Sequence, residues 1–169
     1  PTFAGVWAAP YTSTESILSM PFTATNLAGT QNFLAHYHHP NSSESYYLNT
    51  TGAAFTKLND DDARKKIFLT GTVSGVGTVY FVGKYTNFTS PVDYAPVIRY
   101  AEVLLNLAEA IVRGGNSVTQ RAVDLLNAVR VRSYPAGVYT LASFPTVASF
   151  QQAVMDERNM EFLGEGMRN

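Results

Sequence analysis

The stretch VIRYAEVLLNLAEA (Val97 to Ala110) constrains the fold of this chain most, because it places charged residues in an apolar run of helical periodicity. With Gly114-Gly115 as a C-terminal stop, it predicts a helix from about Pro96 to Arg113. This helix is apolar nearly all round, which is typical of a buried element. Its polar residues share a sector of about 80°: Arg99, Glu102, Asn106, Glu109 and Arg113.

Two more helices are predicted after it. A Ser-x-x-Gln capping box at Ser117 starts the second, which ends near Tyr134-Pro135 because the residue before a proline avoids the α region. The same box at Ser149 starts the third, which ends at Gly164. The short connection makes the first two helices a helical hairpin, the unit of helical-repeat proteins, and such a hairpin needs neighbours to bury both of its faces.

Two carboxylates of the third helix fall on its apolar face. Glu157 and Glu161 project on the same side as Phe150 and Val154, so they require cationic partners. The available arginines are Arg99, Arg130, Arg132 and Arg158. The sequence therefore predicts an inter-helix network of arginines and glutamates.

The same glutamates allow a second interpretation, a glycoside hydrolase that uses two carboxyl groups as acid and base. The candidates are Glu102, Glu109, Glu157 and Glu161. A catalytic acid needs a raised pKa, whereas nearby arginines lower it. The structural interpretation is therefore favoured.

The first half of the chain, residues 1–95, is predicted to be rich in loops and β-structure. β-Branched and aromatic residues flank Ser74 to Gly77 and predict a β-hairpin. The stretch SESYYLNTTGAAFTKL is strand-like as well, and LNDDDARKKIF is a loop or short helix whose acids suit a helix N-cap. The predicted fold class is mainly α (α+β).

Aromatic residues among Asn, Ser, Thr and His in this half are candidate sugar contacts. Aromatic faces stack on the apolar faces of sugars, and neighbouring polar groups bind the hydroxyls. The candidate ligand-binding residues are Trp7, Tyr11, Tyr37, Tyr46 and Tyr47. Packing in a core that is poor in Leu and Ile is the alternative role for each. The histidines of HYHHP, at positions 36, 38 and 39, are expected to be solvated in a loop rather than bound to a metal.

Composition limits the other function classes. Charged residues make up 15% of the chain, below the roughly 25% of an average domain, so we expect it to be part of a larger protein. A net charge of −1 gives no electrostatic attraction to nucleic acid. The absence of cysteine excludes disulfides, thiolate metal sites and a cysteine nucleophile.

Three blocks of the second half resemble the C-terminal signature of the SusD/RagB family of Bacteroidetes. They are YAPVIRYAEVLLNLAEA, AVDLLNAVRVRS and MDERNMEFLGEGMRN, and they cover roughly residues 91–169. The matching positions are Arg99, Ala101, Glu102, Leu105, Ala108, Glu109, Ala110, Asn127, Val129, Arg130, Glu157, Arg158, Glu161, Phe162, Glu165, Gly166 and Arg168. Upstream, TESILSMPF, DDDARKKIF and VGKYTN resemble a strand, an Asp-x-Arg segment and a Lys-Tyr element of the family, in the family's order.

The resemblance implies a non-enzymatic, surface-exposed lipoprotein of the outer membrane. Such proteins bind a nutrient, often an oligosaccharide, and deliver it to a SusC-type TonB-dependent transporter without a cofactor or metal. It also implies that residues 1–169 are one fragment of a larger SusD-like domain, with a loop-rich part to residue 95 and a helical part from residue 96. The lipid anchor would lie outside the fragment. A helical-repeat module that binds peptides remains the other alternative.

Overall fold

The computed structural model describes residues 1–29, 32–42 and 46–166. The helices are α1 (Leu34–His38), α2 (Ala53–Thr56), α3 (Ala63–Lys66), α4 (Tyr100–Gly115), α5 (Gln120–Ser133) and α6 (Val147–Glu161). The strands are β1 (Ser16–Met20), β2 (Leu69–Val73), β3 (Gly77–Phe81) and β4 (Ala95–Arg99). The predicted class, mainly α with some β, is confirmed. Within the described ranges, no helix is long and apolar enough to cross a membrane.

The predicted β-hairpin is confirmed, but the other predicted strand is wrong. Strands β2 and β3 pair antiparallel, and Gly75 and Gly77 turn the chain between them with positive φ angles of 78° and 98°. Residues 46–49 have no regular secondary structure and residues 50–58 form turns and α2, while residues 43–45 of the predicted strand lie outside the described residues. Asn49 explains part of this, because its side-chain oxygen accepts hydrogen bonds from the backbone N–H and the hydroxyl of Thr51, which favours a turn over an extended chain.

The first long helix begins at Tyr100, four residues later than predicted. Residues 95–99 form β4, which pairs antiparallel with β1 so that Met20 lies opposite Ala95. The backbone N–H of Tyr100 donates to the carbonyl oxygen of Glu15 at 2.8 Å. Pairing with a segment some 80 residues away therefore overrides the helical periodicity of this stretch. Arg99, predicted on the helix, is instead its extended N-cap residue.

Threonines cap the next two long helices. Thr119, not Ser117, caps α5, and its hydroxyl accepts from the backbone N–H of Ala122. Thr146 caps α6, and Ser149, predicted as the N-cap, is the third helical residue of the same capping box. The box is therefore shifted by three residues, and α6 ends at Glu161 rather than at Gly164.

The main core lies between α4, α5 and α6. The buried face of α4 carries Ala101, Leu105, Ala108 and Val112, which pack in one cluster with α5 and α6. The prediction that α4 is buried all round is wrong, since Val103 and Leu107 are about two-fifths exposed. Apolar side chains are exposed on β1 and β4 as well: Ile17, Leu18, Met20, Val97 and Ile98.

Gly83 lies where the chain after β3 runs close to the backbone of Ile67. An added side chain should therefore lower stability at Gly83, whereas Gly114 in α4 has room for one. A Cβ atom at Gly83 would overlap the carbonyl oxygen of Ile67, whereas nothing lies within 4 Å of a Cβ at Gly114 in α4. We expect Gly83→Ala to lower the free energy of unfolding by about 2–3 kcal/mol. Gly114→Ala should raise it by about 0.5–1 kcal/mol, because alanine favours the helix. Urea unfolding of both variants tests this, and equal stabilities would contradict the close backbone approach.

Candidate functional site

Charged side chains from distant parts of the chain meet around the last turns of α6, and we call this group the ionic cluster. Among the described residues it contains five cations and five carboxylates, so its formal charge is balanced. The members are Arg64, Lys84, Arg99, Arg130, Arg132, Glu15, Asp62, Glu157, Glu161 and Glu165. The predicted network of arginines and glutamates is thereby confirmed for Arg99, Arg130 and Arg132.

Glu161 lies at the centre of the ionic cluster with no exposed surface. Its Oε1 atom accepts from Arg99 Nη1 at 2.9 Å and from Arg132 Nη2. Burial alone would raise the pKa of Glu161, but the charges of Arg132, Arg99 and Arg64 outweigh burial and lower this pKa to about 2. Glu161 is therefore ionised at neutral pH and has no proton to donate.

Arg64 joins α3 to α6, although it was not among the arginines predicted to pair with Glu157 and Glu161. Its guanidinium donates twice to Asp62, at 2.9 and 2.6 Å, and once to Glu157. Arg130 donates to the other oxygen of Glu157 at 2.9 Å. Helical periodicity does not mark Arg64 because α3 has only four residues. The available signal was the spacing of Asp62 and Arg64, since Asp62 both caps α3 and orients the arginine.

Arg99 connects the segment before β1 with the segment after α6. Its guanidinium donates to both oxygens of Glu165 at 2.8 Å and to Glu15 at 3.1 Å. Lys84 donates to Glu165 and to the carbonyl oxygen of Glu161, both at 2.6 Å. Burial lowers the pKa of Lys84, although the carboxylate of Glu165 opposes the effect.

Arg158 lies outside the ionic cluster, which corrects the prediction for this residue. It follows Glu157 directly, so it points about 100° away around the helix. There it donates to Asn106 at 2.7 Å and to Glu109 at 2.9 Å on α4. Glu109 also accepts from Arg113 at 2.6 Å. This second group ties α6 to the polar side of α4.

The geometry of the ionic cluster supports a structural role rather than a catalytic one. Glu157 and Glu161 have no exposed surface, so a substrate has no path to either carboxylate. Both oxygens of Glu157 and the Oε1 atom of Glu161 accept hydrogen bonds from guanidinium groups, and Oε2 of Glu161 lies 3.6 Å from Arg64 Nη1, so the negative charges are held in place. The arrangement connects α3, α5 and α6 with the segments around β1 and β4, and it keeps Glu157 and Glu161 away from solvent.

Trp7 and Tyr11, two of the predicted ligand contacts, line one narrow cleft together with Arg99. Lys84 Nζ and Arg99 Cζ lie 4.8 and 5.1 Å from the ring centre of Trp7, so cation–π contacts attach this ring to the ionic cluster. The hydroxyl of Tyr11 donates to Asp93 at 3.0 Å. Burial, followed by the charge of Asp93, raises the pKa of Tyr11 to about 12.

Of the remaining predicted contacts, Tyr37 and Tyr46 stack on each other and Tyr47 follows Tyr46 directly in the chain, and we call the three residues the tyrosine platform. The rings of Tyr37 and Tyr46 are nearly parallel, 5.7 Å between centres and 11° between planes. Tyr46 is 68% exposed and Tyr47 is 45% exposed. Backbone hydrogen bonds fix the segment, from Tyr46 N–H to Tyr37 O at 2.8 Å and from Leu48 N–H to Tyr80 O at 2.7 Å. Tyr46 and Tyr47 are therefore exposed, Tyr37 is partly buried, and the backbone of the segment is held in position.

The histidines are less solvated than predicted. His36 lies in α1 and is 8% exposed. Burial, together with the positive charge of Lys84, lowers the pKa of His38 to about 4. The cause is that α1 packs into a small second core around Phe33, Ala35 and Tyr85. Within residues 1–29, 32–42 and 46–166, no three His, Asp or Glu side chains are placed to hold a metal ion.

Comparison with known families gives a specific match. A profile of the SusD family matches residues 32–169, which is most of the chain. Of the residues that carried the resemblance, Arg168 lies outside the described residues, and Arg99, Arg130, Glu157, Glu161 and Glu165 are members of the ionic cluster. No curated protein matches the chain.

Solved structures share the fold. A SusD superfamily protein from Bacteroides fragilis is 30% identical with a TM-score of 0.79, over 98% of this chain and 37% of that one. One from Bacteroides vulgatus is 22% identical with a TM-score of 0.77, over 97% and 36%. A surface glycan-binding protein A from Bacteroides thetaiotaomicron, solved with laminarihexaose, is 20% identical with a TM-score of 0.70, over 98% and 44%. The chain thus spans less than half the length of these relatives.

Proposed function

Because this chain belongs to the SusD family, we propose that it takes part in binding an oligosaccharide at the bacterial cell surface. Family membership supports the role, and the tyrosine platform is the observation on this chain that carries it. The whole protein would be a lipid-anchored, outer-membrane nutrient receptor without a cofactor. It would hand its ligand to a SusC-type TonB-dependent transporter.

The tyrosine platform has the properties that sugar binding requires. Aromatic rings bind the apolar faces of sugar rings when the side chains are exposed and need little ordering. Tyr46 is the most exposed large hydrophobic residue among those described, yet its backbone is anchored to Tyr37. Trp7 and Tyr11 remain predicted ligand contacts, and their engagement with Lys84, Arg99 and Asp93 makes them the weaker candidates.

We expect Tyr46→Ala to weaken glycan binding by about tenfold or more, since removing an aromatic anchor typically costs more than about 1 kcal/mol. The ring is mostly exposed, so the variant should unfold at the same urea concentration as the parent. A glycan array would identify the ligand, and titration calorimetry with the tightest oligosaccharide would measure the change in affinity.

Tyr100→Ala is the matched control. Tyr100 is 50% exposed like the platform tyrosines, but it lies at the start of α4, away from the platform in sequence. Full affinity in Tyr100→Ala with loss in Tyr46→Ala supports the proposal. Full affinity in Tyr46→Ala, or an array on which no glycan binds, contradicts it.

Assays of hydrolysis and of peptide binding distinguish two other functions from glycan binding. A glycoside hydrolase would release reducing sugar from the bound oligosaccharide, and replacing a catalytic glutamate by Gln would abolish turnover in a folded protein. The candidates are Glu102, Glu109, Glu157 and Glu161. A peptide-binding module would leave the glycan array blank and would bind in a peptide array. The burial of Glu157 and Glu161 and the ion pairs of Glu109 disfavour the hydrolase, and the exposed tyrosine pair favours sugar over peptide.

A further inference from the structure

We propose that an apolar cleft next to the tyrosine platform binds an aromatic substituent carried by the glycan. We call it the Phe55 cleft, and its lining includes Leu48, Asn49, Ala54, Phe55, Asn159 and Leu163. The inference about the sugar rests on the proposed function, whereas the binding of the aromatic group stands by itself. The cleft lies between α2 and the end of α6, and no residue of the ionic cluster is among those that line it.

The size of the Phe55 cleft favours a ring. Its volume is about 280 Å³. An apolar cavity of about 150 Å³ is sufficient to hold benzene. A methyl or acetyl group would therefore leave most of the cleft unfilled, while a substituted phenyl ring would occupy it.

The lining favours an aromatic group with polar substituents. Leu48, Phe55 and Leu163 supply the apolar surface, and small residues at the start of α2 leave room beside them. The Phe55 ring lies 5.9 Å from Phe68 and 5.3 Å from Tyr80, so an additional ring would extend an existing aromatic group. Asn49 adds an amide at the rim, fixed by its hydrogen bonds with Thr51. The N–H₂ group of this amide can donate a hydrogen bond to a phenolic oxygen or to an ester carbonyl.

The cleft and the tyrosine platform are joined by a short piece of chain. Tyr46 and Tyr47 precede Leu48 and Asn49, which line the cleft. The α-carbons of Tyr46 and Asn49 are at most about 11 Å apart, because three residues span no more when fully extended. The backbone N–H of Leu48 donates a hydrogen bond to the carbonyl oxygen of Tyr80, and the ring of Tyr80 contacts Phe55. A glycan on the platform is therefore within reach of the cleft through one substituent.

Methyl ferulate is a suitable probe, because it presents a phenolic ring and an ester without sugar. We expect saturable NMR chemical-shift changes at Phe55 and Leu163, with a Kd of about 1 mM or tighter for a ligand of this size. Ala54→Leu fills the cleft and should weaken this binding at least about tenfold. Ala110→Leu is the control, since Ala110 is an exposed helical alanine on α4, and it should bind like the parent.

The outcomes separate this inference from the proposed function. Tyr46→Ala should bind methyl ferulate normally, because the ring in the cleft does not need the platform. The inference is wrong if methyl ferulate causes no saturable change, or if Ala54→Leu binds it as the parent does. It is also wrong if N-acetyl-phenylalanine amide binds more tightly than methyl ferulate, since the occupant would then be a peptide side chain.

A second experiment tests the connection to the sugar. A feruloylated xylo-oligosaccharide should bind at least about tenfold more tightly than the same oligosaccharide after alkaline removal of the ester. That difference should disappear in Ala54→Leu. Equal affinity of the two oligosaccharides for the parent would exclude a glycan-borne aromatic group as the occupant, even if methyl ferulate alone binds.

Discussion

Replacing Glu161 by Gln should lower the free energy of unfolding by about 3–5 kcal/mol, the largest loss expected from any single substitution considered for this chain. The amide is nearly the same size as the carboxylate, so packing is preserved. The guanidinium groups of Arg99 and Arg132 would lose their shared counter-charge while still buried. Small domains are stable by only about 5–15 kcal/mol in total, so the variant would be close to unfolding at 37 °C.

Glu102→Gln provides the control for that result. Glu102 lies on α4, is only partly buried, and makes no ion pair with any residue that the structure describes. Its substitution should change stability by less than about 0.5 kcal/mol. Urea unfolding followed by circular dichroism measures both variants. A loss below about 1 kcal/mol in Glu161→Gln would show that the ionic cluster contributes little to stability.

Acid should remove the same stabilisation in the parent protein. The pKa of Glu161 is about 2 in the folded state, against an ordinary value of 4.5. A depressed carboxyl pKa contributes stability that is fully present above the unfolded-state pKa and is lost as pH falls through the folded-state pKa. The loss therefore falls between about pH 4.5 and pH 2, and a shift of this size is worth on the order of 3 kcal/mol.

Urea unfolding at pH 7, 4.5 and 3 tests the pH dependence. In the parent, the contribution of Glu161 to the free energy of unfolding should be about the same at pH 4.5 as at pH 7. It should decrease progressively below pH 4.5. Glu161→Gln has no proton to gain at this position, so its stability should fall less over the same interval. Parallel curves for the two proteins would mean that other carboxyl groups cause the acid unfolding.

The helices could be predicted because their determinants are local. The apolar periodicity of α4 and the turn of Gly75 and Gly77 act within a few residues, and a capping box was predicted for α6, although three residues too late. The start of α4 could not be predicted, since it depends on β4 pairing with β1, a contact between residues about 80 positions apart. Local propensity is a weak determinant when such a pairing competes with it.

The candidate sites also have some features that local sequence predicts and others that only the fold determines. The inward-facing Glu157 and Glu161 follow from helical geometry, and so does their need for arginines. The choice of partners does not, because Arg64 reaches Glu157 from a four-residue helix and Arg158 points to α4. Likewise the aromatic composition indicated candidate tyrosines, but only the fold places Tyr37 against Tyr46 and separates this pair from Trp7, whose ring is engaged with Lys84 and Arg99.

The ionic cluster also bears on the order in which the protein assembles during synthesis. Arg64 bonds to Glu157 and Lys84 to Glu165, partners that are 93 and 81 positions apart. The ribosome therefore releases three of the five cations, Arg64, Lys84 and Arg99, long before their partners Glu157, Glu161 and Glu165. Asp62 and Glu15 are made earlier, but they supply only part of the counter-charge. Until α6 emerges, those cations must remain hydrated, and the segments that carry them cannot close around a dry centre. Emergence of α6 is thus the event that permits the early and late parts of the chain to dock.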